Sequence, residues 1–209
     1  DEQGVRILYT PLHGTGYPFV KDTFAKLGFK DFHVVPEQRD PDGDFPTVSA
    51  PNPEKTDAMD LAMKQAAAMQ ADLILATDGD SDRIGTAVRN PAGSYTVLNG
   101  NQIGTIMLYY ILSFYKEKGL LKQNQFAVRS VVSTPLTKKI CEHFGIGFRR
   151  TLTGFKWMGN VAEEMVQAGG EFVLAYEEAF GVTFGDSRDK DGVINIALMA
   201  EAAAWCKNN

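Results

Sequence analysis

Two parts of this 209-residue chain follow one plan. The first, "RILYTPLHGTGYPFVKDTFAKLGF" (6–29), is a short apolar run, then Thr-Pro-Leu, then a helical pattern that stops at glycine. The second, "RSVVSTPLTKKICEHFGI" (129–146), repeats that order. Further on, "EFVLAYEE" (171–178) echoes "DLILATDG" (72–79): an acid, a short apolar run ending Leu-Ala, one more residue, and another acid. Asp78 and Glu177 thereby fall at equivalent strand ends. Two echoes in the same order point to a tandem duplication of one α/β unit.

The elements between the echoes fit that plan. Residues 5–10, 31–37 and 71–77 have the short, bounded apolar character of buried strands. Residues 17–28 and 54–70 have helical spacing. A long helix follows "VLNGNQIG" and opens the second unit. Strands alternating with helices imply mainly parallel sheets covered by helices. The expected fold class is therefore α/β, two tandem similar domains, each a mainly parallel (mixed) sheet covered by helices. The boundaries are 1–97 and 98–209. In such sheets ligands sit beyond the carboxyl ends of the strands. Both acidic turns lie at that edge, and two such domains side by side would present them to one cleft.

Composition narrows the partners. The net charge is −5, with no run of like charges, which argues against nucleic acid and against a basic membrane patch. No segment approaches the ~20 apolar residues of a membrane helix. Cys141 and Cys206 form no metal-like spacing and no disulfide framework, the usage expected of a reduced, cytoplasmic chain. "DEQGVRILYT" runs straight into a predicted strand with no signal peptide. Both ends read as cuts between domains of a longer protein.

The turn "ATDGDSDRIG" (76–85) carries the chemistry. Asp78, Asp80 and Asp82 alternate with Gly79 and Ser81, and Arg83 follows. Like charges ~4 Å apart repel by roughly 4 kcal/mol at an effective dielectric near 20. An EF-hand would need glycine at the sixth position and glutamate at the twelfth. Those places hold Arg83 and Arg89, and a strand precedes the turn, so an EF-hand is rejected. A dehalogenase-type phosphatase also sets Asp-x-Asp after an apolar strand, but Asp82 departs from its pattern. A plain solvated turn would use the same residue types. A hard-cation site explains more: Mg²⁺ takes carboxylates plus a substrate phosphate, and a guanidinium such as that of Arg83 grips phosphate with paired hydrogen bonds. A second triad, Asp40, Asp42 and Asp44, sits in a proline-rich segment that does not follow a strand, and reads as a solvated or packed loop. Trp157, Met158 and the methionines of 54–70 read as core. His13 suits either a cleft lining or a structural hydrogen bond, and Arg188, Lys190 and Asp191 either a turn near the cleft or a solvated one.

Taken together, "TPLHGTG", "DFPTVSAPNPE", "ATDGDSDR", "TGFKWMGN", "YEEAFG" and "RDKDGV" resemble, in this order, the α-D-phosphohexomutases, the phosphoglucomutase and phosphomannomutase superfamily. The resemblance covers nearly the whole chain but only the second and third of the family's four domains. It implies that Asp78, Asp80 and Asp82 bind Mg²⁺, which meets a phosphoserine on the missing first domain, with Arg83 beside that phosphate. The missing fourth domain would carry a phosphate-binding loop. Glu177, with Glu178 next to it, would bind sugar hydroxyls. Thr153 and Gly154 would lie at the substrate, and Lys156 would touch sugar or phosphate oxygens or assist proton transfer. The implied reaction exchanges hexose 1-phosphate and hexose 6-phosphate through a bisphosphate, with phosphoglucomutase as the expected member and phosphomannomutase or phosphopentomutase as alternatives. The fragment alone would be inactive. Many relatives carry serine where this chain has Ala179, which removes a sugar contact, and the Glu-Glu-Ala form resembles a branch with phosphopentomutase-like members. A non-catalytic module binding metal or sugar phosphate is the rival of another class.

Overall fold

The computed structural model describes residues 4–208; Asp1 to Gln3, where the N-terminal reading begins, lie outside the described residues. The chain packs as two units. One comprises the residues up to Asn99 together with those from Gly192 onward, and the other is Gly100–Asp191.

The first unit begins with β1 (Ile7–Thr10), α1 (Tyr17–Leu27) and β2 (Phe32–Val34). After a short 3₁₀ turn come α2 (Thr56–Met69), β3 (Leu73–Thr77), β4 (Ile84–Arg89) and β5 (Tyr95–Val97). The sheet order is β2-β1-β3-β4-β5. β1 lies parallel to both β2 and β3, and the last two pairings are antiparallel. Leu8, Ile74 and Ala76 join Met59, Ala62 and Ala66 of α2 in one buried cluster. Ile7, Leu73 and Leu75 alternate with them and are just as buried. Side chains alternate faces along a strand, so both faces of this sheet are covered. That is why its strands read as unbroken apolar runs.

The helix α6 (Gly192–Asn208) completes this unit. It packs on β3, β4 and α1. Its buried residues include Ile196, Leu198, Met199, Ala200, Ala202 and Ala204, spread around the helix rather than along one stripe. A helix apolar all round belongs in a core. The helix follows the second unit in sequence, and by packing it lies with the first sheet.

The second unit opens with α3 (Gly100–Glu117), β6 (Gln125–Ser130), α4 (Leu136–Phe144) and β7 (Gly147–Thr151). It continues with α5 (Phe155–Gln167), β8 (Glu171–Tyr176) and β9 (Val182–Phe184). Its sheet runs β7-β6-β8-β9. β6 is parallel to both neighbours and β9 is antiparallel. This is the order of the first four strands of the first unit, so the duplication inferred from the echoes holds at the level of topology. The Thr-Pro-Leu echo does not superpose. Thr10 ends β1, whereas Pro135 caps α4, after a loop that follows β6. Leu12 and His13 take left-handed backbone angles in the first case, delaying the helix to Tyr17.

Met59 and Met158 are fully buried, as expected of core residues. Trp157 is not: it is 43% exposed. Phe155 and Met158, three apart, share the buried face of α5, and Trp157 falls off that stripe.

Candidate functional site

The turn between β3 and β4 is built around the Asp78 carboxylate. Its Oδ1 accepts the backbone N–H groups of Asp82 and Arg83, each at 3.0 Å. The Ser81 N–H donates to the Asp78 carbonyl at 3.2 Å, and Ser81 takes a left-handed φ of 64°. The chain thereby reverses within six residues and pairs Thr77 with Ile84. Folding the turn around Asp78 gathers the three acids. One carboxylate oxygen each from Asp78, Asp80 and Asp82 lies within 4.8 Å of the others.

Two neighbours hold this turn from outside. The Thr15 N–H donates to the Gly79 carbonyl at 3.1 Å, and the Gly192 N–H to the Ser81 carbonyl at 2.9 Å. A Cβ on Gly192 would stand 2.5 Å from that carbonyl oxygen. Only glycine lets the start of α6 approach so closely.

The electrostatics fit a cation. Asp78 is only 14% exposed in its side chain. Burial, reinforced by the charges of Asp82 and Asp80, pushes its carboxyl up to about 6 against the Arg83 N–H bond that pulls it down. Carboxylates that crowd until one takes up a proton are relieved equally well by a divalent ion. The donor set is all oxygen and suits Mg²⁺ or Mn²⁺. Among the described residues no other cluster of three acids, histidines or cysteines gathers in this way. Asp40, Asp42 and Asp44 do not: Asp40 pairs with Arg39, and Asp42 Oδ1 accepts the Asp44 N–H.

Arg83 sits beside the three acids without closing on them. Its Nε is 3.7 Å from Asp78 Oδ2 and 3.8 Å from Asp82 Oδ1. Its Nη1 donates instead to Glu54 Oε1 at 3.0 Å. Glu54 closes the "DFPTVSAPNPE" segment, and no role for it was read from the sequence. His13 ties down the same segment. Its Nε2 lies 2.8 Å from Thr47 Oγ1, which also accepts from Gln38 Nε2 at 2.9 Å. The structural reading of His13 is the one realised.

In the second unit the equivalent strand end presents Glu177 and Glu178. Glu177 is buried, and its Oε1 accepts the Gly154 N–H at 2.5 Å. Gly154 precedes α5 with φ 114°, an angle open to glycine and hostile to L side chains. Glu178 turns to the loop after β6. Its Oε2 lies within reach of Ser130 Oγ (3.2 Å) and Ser133 Oγ (3.0 Å), and its own N–H donates to Ser133 Oγ at 3.2 Å. Neither serine was singled out in the sequence. Thr153 is exposed beside Gly154, and Ala179 is exposed after Glu178. Lys156 is exposed, with Nζ 5.2 Å from the Trp157 ring centre. Arg188 pairs with Glu163 at 2.7 Å, and Lys190 lies over Phe155 at 5.1 Å.

The fold and the site define a twice-repeated α/β protein with a cluster of three carboxylates at the carboxyl edge of one sheet, and the buried Glu177 with the half-buried Glu178 at that of the other. Family models for the phosphoglucomutase/phosphomannomutase α/β/α domains II and III match residues 1–93 and 99–208. The chain belongs to the phosphoglucomutase/phosphomannomutase family. It is 35% identical over 209 residues to human phosphopentomutase, covering 98% of this chain and 34% of that one. It is 36% identical over 210 residues to a Staphylococcus epidermidis phosphoglucomutase, covering 99% and 37%. The chain thus spans about a third of the length of these relatives. Aspergillus fumigatus N-acetylphosphoglucosamine mutase, solved with GlcNAc-6P and magnesium, shares the fold with a TM-score of 0.68 at 15% identity, over 100% of this chain and 48% of that one.

Proposed function

We propose that this chain is the metal-binding and sugar-binding middle of a cytoplasmic phosphoglucomutase, interconverting hexose 1-phosphate and hexose 6-phosphate through a phosphoserine and a bisphosphate intermediate. The convergence of Asp78, Asp80 and Asp82 beside Arg83 carries this reading. A bound Mg²⁺ would supply charge neutralisation at the phosphoryl group in transfer. The chain's own part is to hold three carboxylates for it, to keep Arg83 poised for phosphate, and to offer Glu177 and Glu178 to sugar hydroxyls. The phosphoserine and a further phosphate-binding loop would come from two domains outside this sequence.

A second reading, a pentose-phosphate mutase, is favoured by Ala179, whose methyl offers no hydroxyl to a sugar, and by the similarity to human phosphopentomutase. Kinetics of the complete protein with glucose 1-phosphate and ribose 1-phosphate separate the two. A kcat/KM higher for the hexose supports the first reading, and the reverse order the second. The isolated chain should show no turnover with either.

A further inference from the structure

Arg129 is out of place for an arginine. It lies at the inner end of β6, only 6% exposed, yet it forms no ion pair among the described residues. Its Nε is buried with no hydrogen-bond partner. A buried guanidinium cannot shed its proton, so its charge must be met by dipoles. It is met from one side. Nη1 donates to the carbonyls of Ser130 (2.7 Å), Val131 (3.3 Å) and Ser133 (2.6 Å), while Phe148 packs against the group at 5.6 Å.

The Ser130 carbonyl closes β6, and those of Val131 and Ser133 belong to the loop between β6 and α4. Arg129 braces this loop together with a few other bonds, among them the Thr134 N–H to Asn101 Oδ1 at 2.7 Å. Its apolar side chains, Val131 and Val132, are 44% and 57% exposed and give it no apolar anchor. The Val131 N–H reaches the Thr151 carbonyl at 2.8 Å, and the Ser133 N–H turns back to Ser130 at 3.3 Å. The same loop carries the two hydroxyls at Glu178, with Ser130 Oγ and Ser133 Oγ 2.7 Å apart. One cation therefore fixes the backbone from which two hydroxyls reach the carboxylate.

We propose that Arg129 is a positioning residue for Glu178: its buried guanidinium fixes loop 130–133, and the Ser130 and Ser133 hydroxyls transmit that fixed geometry to the acid. This rests on the reading of Glu178 as a sugar-binding residue. Lysine at 129 keeps the charge but is shorter and loses the flat guanidinium that packs on Phe148 while its Nη1 reaches the carbonyls. Glutamine loses both.

The test uses the complete enzyme and the isolated chain. In the complete enzyme, Arg129→Gln should lower kcat/KM about 30-fold and Arg129→Lys about 5-fold, with KM rising more than kcat falls, because ground-state sugar contacts are loosened. Metal affinity should stay unchanged. Ser133→Ala leaves no charge buried alone and keeps the protein folded if the arginine variants fail. It should show the same KM effect, and combined with Arg129→Lys it should add little, since both act through one loop. In the isolated chain, the Glu178 amide should lose hydrogen-exchange protection in Arg129→Lys. If melting temperature falls while KM and Glu178 exchange stay as in wild type, Arg129 is merely a piece of the fold and the proposal is overturned. If the complete wild-type enzyme shows no mutase activity, the functional reading fails instead, and the exchange at Glu178 alone decides whether Arg129 positions it.

Discussion

Arg83 Nη1 donates to Glu54 Oε1 at 3.0 Å, joining the Asp turn to a loop 29 residues earlier. The pair keeps a guanidinium next to three acids without letting it settle on them. Asp78 and Asp82 remain 3.7 and 3.8 Å away from Arg83 Nε. Glu54→Gln should free Arg83 to close on those carboxylates and compete with a metal ion. Mn²⁺ affinity, read by calorimetric titration, should then fall about 3- to 10-fold, the range of an added ion pair at a half-exposed site. The double change with Arg83→Gln should restore it. Affinity that is unmoved by Glu54→Gln would mean the pair plays no such part.

The pH dependence follows from Asp78. Its carboxyl is raised from 3.8 to about 6, so the fold holds its proton more tightly than the unfolded chain does. This group therefore adds stability as pH falls from above 6 toward 4 and withdraws it as pH rises. Metal binding runs the other way, because the ion displaces that proton. The rise in melting temperature with saturating Mg²⁺ should be largest above pH 7 and should shrink through pH 6. Asp80→Asn should abolish the metal effect at every pH. A metal effect equal at pH 5 and pH 8, measured by thermal scans, would contradict the Asp78 assignment.

Gly192 seats the start of α6 against the Asp turn. In Gly192→Ala the new methyl would stand 2.5 Å from the Ser81 carbonyl and 2.9 Å from that of Arg83. Backbone must move, which should cost about 1–3 kcal/mol of stability. Because the strained atoms lie in the turn itself, metal affinity should fall together with the melting temperature. A loss of stability with unchanged metal affinity would show the turn to be independent of α6.

What the sequence disclosed, and what it hid, divides by distance along the chain. The Asp turn was legible because its acids lie within five residues and one backbone reversal gathers them. The repeat was legible because strands buried on both faces leave unbroken apolar runs. Glu54 with Arg83, and Ser130 with Glu178, were not, since no periodicity links residues that only the fold brings together. α6 advertised burial all round, but such a pattern cannot name its sheet. β4 follows directly on the charged Asp turn and β5 has only three residues, so the first unit's antiparallel strands went unread. Trp157 was taken for core on residue type, and one position on a helix turned it outward.

The two thiols should separate cleanly. Cys206 is exposed on α6, whereas Cys141 is buried in α4 and its thiol is pushed up to about 12, chiefly by burial. Only the thiolate reacts at a useful rate. A disulfide reagent at pH 8 should label one thiol at once and the second only as the fold opens. Cys206→Ser should remove the fast phase. Rapid labelling of both thiols in the native protein would contradict the burial of α4.

Glu177 and Asp78 stand at equivalent strand ends in surroundings that suit different partners. Asp78 lies among acids. Glu177 is buried, with one oxygen already bonded to the Gly154 N–H. Glutamine at 177 can still accept that N–H through its own carbonyl oxygen, so Glu177→Gln should keep the local geometry and remove only the charge. Charge-assisted bonds to neutral hydroxyls are worth roughly 1.5–3 kcal/mol. A mutase must hold its sugar in two orientations with the phosphates exchanged, and contacts to hydroxyls in the middle of the ring serve both. In the complete enzyme, Glu177→Gln should therefore lower kcat/KM about 10- to 100-fold in the two directions alike. Metal affinity should hardly change. Initial rates from each sugar phosphate, with a parallel Mn²⁺ titration, check both halves. If metal binding collapses while sugar binding survives, the roles of the two acidic turns are reversed.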